Sequence, residues 1–141
     1  MRTVTHSFLQ SRWLWLLARV LLAVVFVSSG LAKLIDFQGG IAEMQHAGLS
    51  PAWLFNIATI VTLLGGSALL LADKALWLGA GILAFFLILS IIIVHHFWML
   101  PAERAMPALY IALEHMSVIG GLLAASIASH QRKIYANAIQ G

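Results

Sequence analysis

Glu114 and His115 stand side by side inside the apolar stretch 107–128, PALYIALEHMSVIGGLLAASIA. At 1.5 Å of helical rise per residue the pair lies about 10 Å from Pro107. A carboxylate at that depth in hydrocarbon costs roughly 2.5–3.5 kcal/mol even on a lenient insertion scale. It therefore needs a task or a partner: it is a proton-relay or ligand-binding carboxylate, or half of a structural ion pair. His95 and His96 close the preceding apolar stretch, next to Trp98. Imidazole titrates near pH 6.5 and can pass protons, while the plainer reading is a polar pair at the membrane interface. Lys33 reads either as a pocket cation or as an end-of-helix lysine whose stem runs along apolar surface. Arg19 reads as a binding group or as a contact to lipid phosphate and backbone carbonyls. Asn56, Thr59 and Thr62, with Gly66, fall within about a third of the circumference of one helix.

The elements that must hold these groups follow from composition. The chain has 141 residues, 62% of them hydrophobic and only 9% charged, with a mean hydropathy of +0.96. Soluble domains carry about 25% charged residues, so this is the composition of a membrane protein. Apolar stretches at 13–35, 52–72, 75–94 and 107–128 are each about 20 residues, enough to cross roughly 30 Å of hydrocarbon. Unpaired backbone is intolerable in lipid, which makes them helices. The expected fold is an all-α, four-transmembrane-helix antiparallel bundle. It forms one domain over 1–141, with helices near 13–35, 52–72, 75–97 and 107–128. The first stretch is long for a signal-peptide core, carries Arg19 and Lys33, and lacks a small-x-small cleavage site, so it reads as a retained helix.

Local chemistry marks the joints. Ser50-Pro51 offers an N-cap and a first-turn proline. Asp73 and Lys74 make a turn short enough to force antiparallel neighbours. Residues 99–106 lead to Pro107, which opens the last helix, and the polar loop 36–50 suits the membrane surface. Arg2, Arg12, Lys74, Arg132 and Lys133 fall on one side and only Lys33 and Arg104 on the other, so both termini are expected in the cytoplasm. Trp13, Trp15 and Trp77 mark that inner interface; Trp53 and Trp98 mark the outer one.

Depth and face then sort the candidates. Tyr110, Glu114, Ser117, Gly121, Ala125 and Ala128 form a small and polar stripe, expected to face the bundle, with His115 turned toward the lipid edge. Lys33, Asp36, Asn56, His95 and His96 share the outer half with Glu114, which predicts an outward-facing polar pocket. Arg19 belongs to a separate inner site. The proline-to-glycine spacing repeats between 51–66 and 107–121, either because two hairpins are related or because glycine pairs let helices approach.

Several functions are excluded. With no cysteine there is no disulfide or thiolate chemistry. Eight Lys and Arg without a basic run give no nucleic-acid surface. No nucleotide loop, Ser-His-Asp arrangement, zinc-ligand spacing or covalent haem motif is present. Adjacent helical histidines diverge by 100°, and His95 with Met99 is too slight a set for copper(I), so no metal is assigned.

The assembled residues resemble the DoxX family of small bacterial four-helix membrane proteins. The likeness rests on Arg19 with FVSSGLAKLIDF at 26–37, the Ala47-Gly48-Leu49 turn, VTLLGGSALLL at 61–71, HHFW at 95–98 and SVIGGLLAA at 117–125. Thr62 stands where the family usually has a glutamate, and Glu114-His115 where it commonly has Lys-Asn. An acid is lost from helix two while a base becomes an acid in helix four, which implies a re-paired network in which Glu114 needs Lys33 or a histidine. The resemblance implies a small subunit or partner of a quinone-linked redox system, such as a component of a quinol oxidase or a thiosulfate:quinone oxidoreductase, that is not catalytic alone. His95, His96 and Glu114 would then handle the protons of a bound quinone. Lys33, Arg19, Asn56, Thr59, Thr62, His115 and Trp98 would complete the ligand sites. The chain has no cofactor of its own on this reading. Its partners are the bilayer, a larger redox complex or a second copy. The alternative is a small-molecule or lipid binder, or an assembly partner, without chemistry.

Overall fold

The computed structural model describes residues 2–141, except the side chain of Arg2, one of the charges counted at the inner end. Among the described residues there is no strand. The helices are α1 (Arg2–Leu9), α2 (Arg12–Ile35), α3 (Phe37–His46), α4 (Ala52–Ala72), α5 (Leu76–Ile93) and α6 (Ala102–Gln140), with a 3₁₀ turn at Phe97–Met99. Four of these, α2, α4, α5 and α6, are long and apolar enough to cross a membrane.

In sequence order α2 packs on α4, α4 on α5 and α5 on α6, and α2 meets α6 over a shorter contact. Phe26, Leu63, Leu70, Leu83 and Leu122 fill the shared core. Between α4 and α5 backbone meets backbone. A Cβ placed on Gly79 would lie 2.8 Å from the Gly66 carbonyl oxygen, and one on Gly66 would lie 2.7 Å from Leu83 Cγ. Small residues at the crossing let two backbones touch where lipid supplies no hydrophobic drive. The paired glycines behave alike: Gly65 and Gly120 face open space, while Gly66 meets Leu83 and Gly121 meets Leu22. Helix packing accounts for both pairs.

Several boundaries differ from expectation. Loop 36–50 contains a helix, α3, because Asp36 caps it: its carboxylate accepts from the Gly39 N–H at 2.9 Å. Ser50 does not cap α4. The cap position is Pro51, with no side-chain hydrogen bond, and the Ser50–Pro51 peptide is cis. The α-helix of the third span stops at Ile93, so His95 and His96 lie beyond it, before the 3₁₀ turn in which the span ends at Met99. The fourth starts five residues before Pro107, which lies inside its second turn. There the unpaired Glu103 carbonyl is near the interface, where water can satisfy it. The same helix runs on to Gln140 and is 39 residues long, roughly 58 Å.

Candidate functional site

Polar side chains gather at the two ends of the bundle. At the end holding the start of α4, α3 folds over α2 and α4. Asn56, 0% exposed, donates from Nδ2 to the Phe37 carbonyl at 3.3 Å, while its Oδ1 has no hydrogen-bond partner. Gly40 makes this fit possible, since a Cβ there would lie 2.4 Å from that oxygen. Lys33 donates to Glu43 of α3 at 2.5 Å. Thr59 is buried in α4, and Thr62 is half-buried and lines a groove with Trp77, Gly81 and Phe85 of α5.

Beyond α5, the chain turns back so that His95 meets α6. Its ring lies edge-on to that of His115, centroids 5.4 Å apart. Ser90 Oγ is 3.4 Å from His115 Nε2, closing a small cluster between α5 and α6. His96 packs on exposed Trp98 at 6.3 Å, and its Nδ1 is buried without a partner.

This corrects the expected faces of α6. The helix buries Ala108, Ala112, Leu122, Ala125 and Ser129. That turns His115 inward and leaves Tyr110, Glu114 and Ser117 exposed. Among the described residues Glu114 has no hydrogen bond and no ion pair, and Lys33 belongs to Glu43 instead. The physical reason is steric. Alanines at 108 and 112 let α6 seat closely, whereas the Tyr110–Glu114 stripe would have to bury a phenol and a carboxylate without donors facing them. Lys33, Asn56 and the histidines therefore form two clusters, one under α3 and one between α5 and α6, not a single pocket.

The opposite end holds a denser network. Asp73 terminates α4 in a left-handed conformation, φ 53°. Its carboxylate accepts from Trp15 Nε1 at 2.8 Å and from Ser129 Oγ at 2.6 Å, with Lys133 Nζ 3.7 Å away. Lys133 also donates to the Asp73 carbonyl at 2.8 Å. Burial alone would push the Asp73 carboxyl up, but the Ser129 and Trp15 hydrogen bonds, with Lys133 and Arg19 nearby, outweigh it and hold the group below its ordinary value. Arg19 donates to the Leu71 carbonyl at 2.6 Å, with its guanidinium 5.3 Å from the centre of the Trp15 ring. It lies at the end of the bundle opposite α3 and the imidazoles, with a backbone carbonyl as its hydrogen-bond partner. The sequence marks Asp73, Trp15 and Lys133 only as a turn, an interface and a charge, and does not single out Ser129 or the network they form. A signal existed: Asp73 is the one carboxylate among the charges of this end, in a chain with only five Asp and Glu.

Four apolar spans around a shared core, with polar networks confined to their ends, define a multi-pass α-helical membrane protein. The chain belongs to the DoxX family, whose profile matches residues 14–96, more than half of its length. The matched region holds Trp15, Arg19, Lys33, Asn56, Asp73 and His95 and stops short of Glu114 and His115. No curated protein and no solved structure matches the chain.

Proposed function

We propose that this chain is an accessory subunit of a quinone-linked redox system, working in a bacterial inner membrane with both termini in the cytoplasm. The topology is supported by the ends that meet. The start of α2 (Trp15), the end of α4 (Asp73) and the inner part of α6 (Ser129) share one network, as an antiparallel bundle requires. That end also carries five of the eight Lys and Arg, counting Arg2 and leaving Arg19 aside.

The observation that carries the functional reading is the imidazole pair. His95 and His115 meet where the chain beyond α5 packs on α6, ring centroids 5.4 Å apart, with Ser90 beside His115 and Glu114 one residue away on the exposed face. A quinone headgroup arriving from the acyl chains would accept a hydrogen bond from an imidazole N–H, and Glu114 would take or release the proton at the bilayer side. Electrons pass between the quinone and a cofactor of the partner complex; this chain handles protons only. One observation favours the second reading, a scaffold without chemistry: Lys33 is engaged by Glu43, leaving Glu114 unpaired.

Purifying the protein and extracting its bound lipids separates the two. Quinone should copurify, and His115→Ala should lower its yield tenfold or more, about 1.4 kcal/mol of binding. Glu114→Gln should keep the quinone but slow proton-coupled turnover of the partner complex. If no quinone copurifies and both variants support normal respiration, the scaffold reading stands.

A further inference from the structure

The cation-rich end has a feature that the functional reading leaves unused. A groove of about 350 Å³ runs between the first turns of α2 and the inner part of α6. Leu14, Ala18 and Ala128 form its apolar walls, Trp15 lines it, and Gln131 and Arg132 stand at its rim. Apart from Leu9 of α1, an apolar residue at the headgroup end, the lining is sorted by depth. Ala18 lies about 9 Å further into the membrane than Arg12, and Arg132 lies about 6 Å further out than Ala128. The apolar part therefore faces the acyl region and the donors face the headgroups.

Charge balance says what fits. Arg12, Arg19, Lys74, Arg132 and Lys133 share this end with a single carboxylate, Asp73. That carboxylate is already occupied by Trp15, Ser129 and Lys133 on the side of α4. Arg132 is held in place rather than loose. Its Nη2 donates to the Gln10 carbonyl at 3.1 Å, and its guanidinium sits 5.7 Å from the centre of the Trp15 ring. A guanidinium presents five N–H donors, so one backbone carbonyl leaves several for the oxygens of a phosphate. An apolar trough ending in a fixed guanidinium and an amide matches one amphiphile: a phosphate head with an acyl chain behind it.

We propose that this groove is a binding site for an anionic phospholipid, its phosphate on Arg132 and Gln131 and one acyl chain along Ala18 and Ala128. Basic pockets between helices recognise such headgroups by charge, and the trough adds a contact that free phosphate cannot make. The site depends on membrane insertion and not on the quinone reading, whose test leaves it untouched.

Native mass spectrometry of the full chain in detergent, titrated with phosphatidylglycerol or phosphatidylcholine, tests it. Phosphatidylglycerol should bind at least tenfold more tightly, and Arg132→Gln should remove that preference. Because Arg132 also ties down Gln10, a second variant keeps the cation and fills the trough: Ala128→Leu should weaken phosphatidylglycerol by a similar factor. Lys74→Gln, a charge removed outside the groove, should change nothing. Equal loss in Lys74→Gln, full binding in Ala128→Leu, or displacement of the lipid by millimolar inorganic phosphate would each overturn the proposal, since each reports diffuse charge instead of a site.

Discussion

Asp73 shows how one side chain can tie three helices. Its left-handed backbone ends α4 in a conformation that Asp tolerates better than most residues. Its carboxylate then collects the indole of α2 and the hydroxyl and ammonium of α6. Each donor would otherwise sit at the membrane boundary with a poorer partner. Replacing it by Asn keeps the shape but removes the charge and one acceptor, which should cost about 1–3 kcal/mol. The expected readout is a lower unfolding midpoint in detergent for Asp73→Asn, with Glu43→Gln, at an exposed carboxylate, changing it less. The pH dependence has a definite sign. The folded-state pKa lies below the unfolded one, so the stabilisation is complete above about pH 4 and is lost as pH falls through the depressed value. Wild type should therefore show an acid-side loss of stability that Asp73→Asn lacks. An identical acid limb in both proteins would mean that another carboxylate is responsible.

At the scale of elements, the α4–α5 crossing is a close one, and its glycines divide into two kinds. Gly79 faces backbone, the Gly66 carbonyl, which cannot move aside as a side-chain tip can. Gly81, two residues on, faces open space. Gly79→Ala should destabilise by roughly 1–3 kcal/mol through overpacking, while Gly81→Ala should be neutral or slightly stabilising because alanine is the better helix former. Thermal unfolding of the two variants in the same detergent checks this, and equal effects would show that helix propensity rather than contact sets the cost. Which glycine packs was not legible from the chain, because both occupy the same apolar span. Hydropathy located α2, α4 and α5 well, since twenty apolar residues have few alternatives. It missed α3, whose helix depends on the Asp36 cap, on Lys33 reaching Glu43 and on Gly40 fitting under Asn56. It also ended α6 too soon. Hydropathy measures where lipid stops, whereas QRKIYANAIQ simply contains no helix breaker. The rotation of α6 failed for a different reason. Polarity was taken to point inward, but the alanine stripe gives the closer seat, and only the partner helix, through Ser90 and His95, shows that His115 is the inward polar group.

For the whole molecule, what matters is which polar end faces which compartment, because the imidazole cluster and the phospholipid groove lie at opposite ends. The network around Asp73 places the beginning of α2 and the inner part of α6 together, so Thr3 and Gln140 should lie on one side and Ser50 on the other. The proposed topology, which follows the charge bias, puts Thr3 and Gln140 in the cytoplasm. The wild-type chain contains no cysteine, which allows single-cysteine variants to be read without background. All three positions are exposed. In spheroplasts of a bacterial host, a membrane-impermeant maleimide should label Ser50→Cys at once. Thr3→Cys and Gln140→Cys should react only after the membrane is opened. Labelling of Thr3→Cys and Gln140→Cys from opposite sides would break the four-span arrangement itself. Labelling of both from outside would keep the bundle but invert it. The histidine pair would then handle its protons near the cytoplasmic leaflet, and the groove at Arg132 would draw its lipid from the outer one.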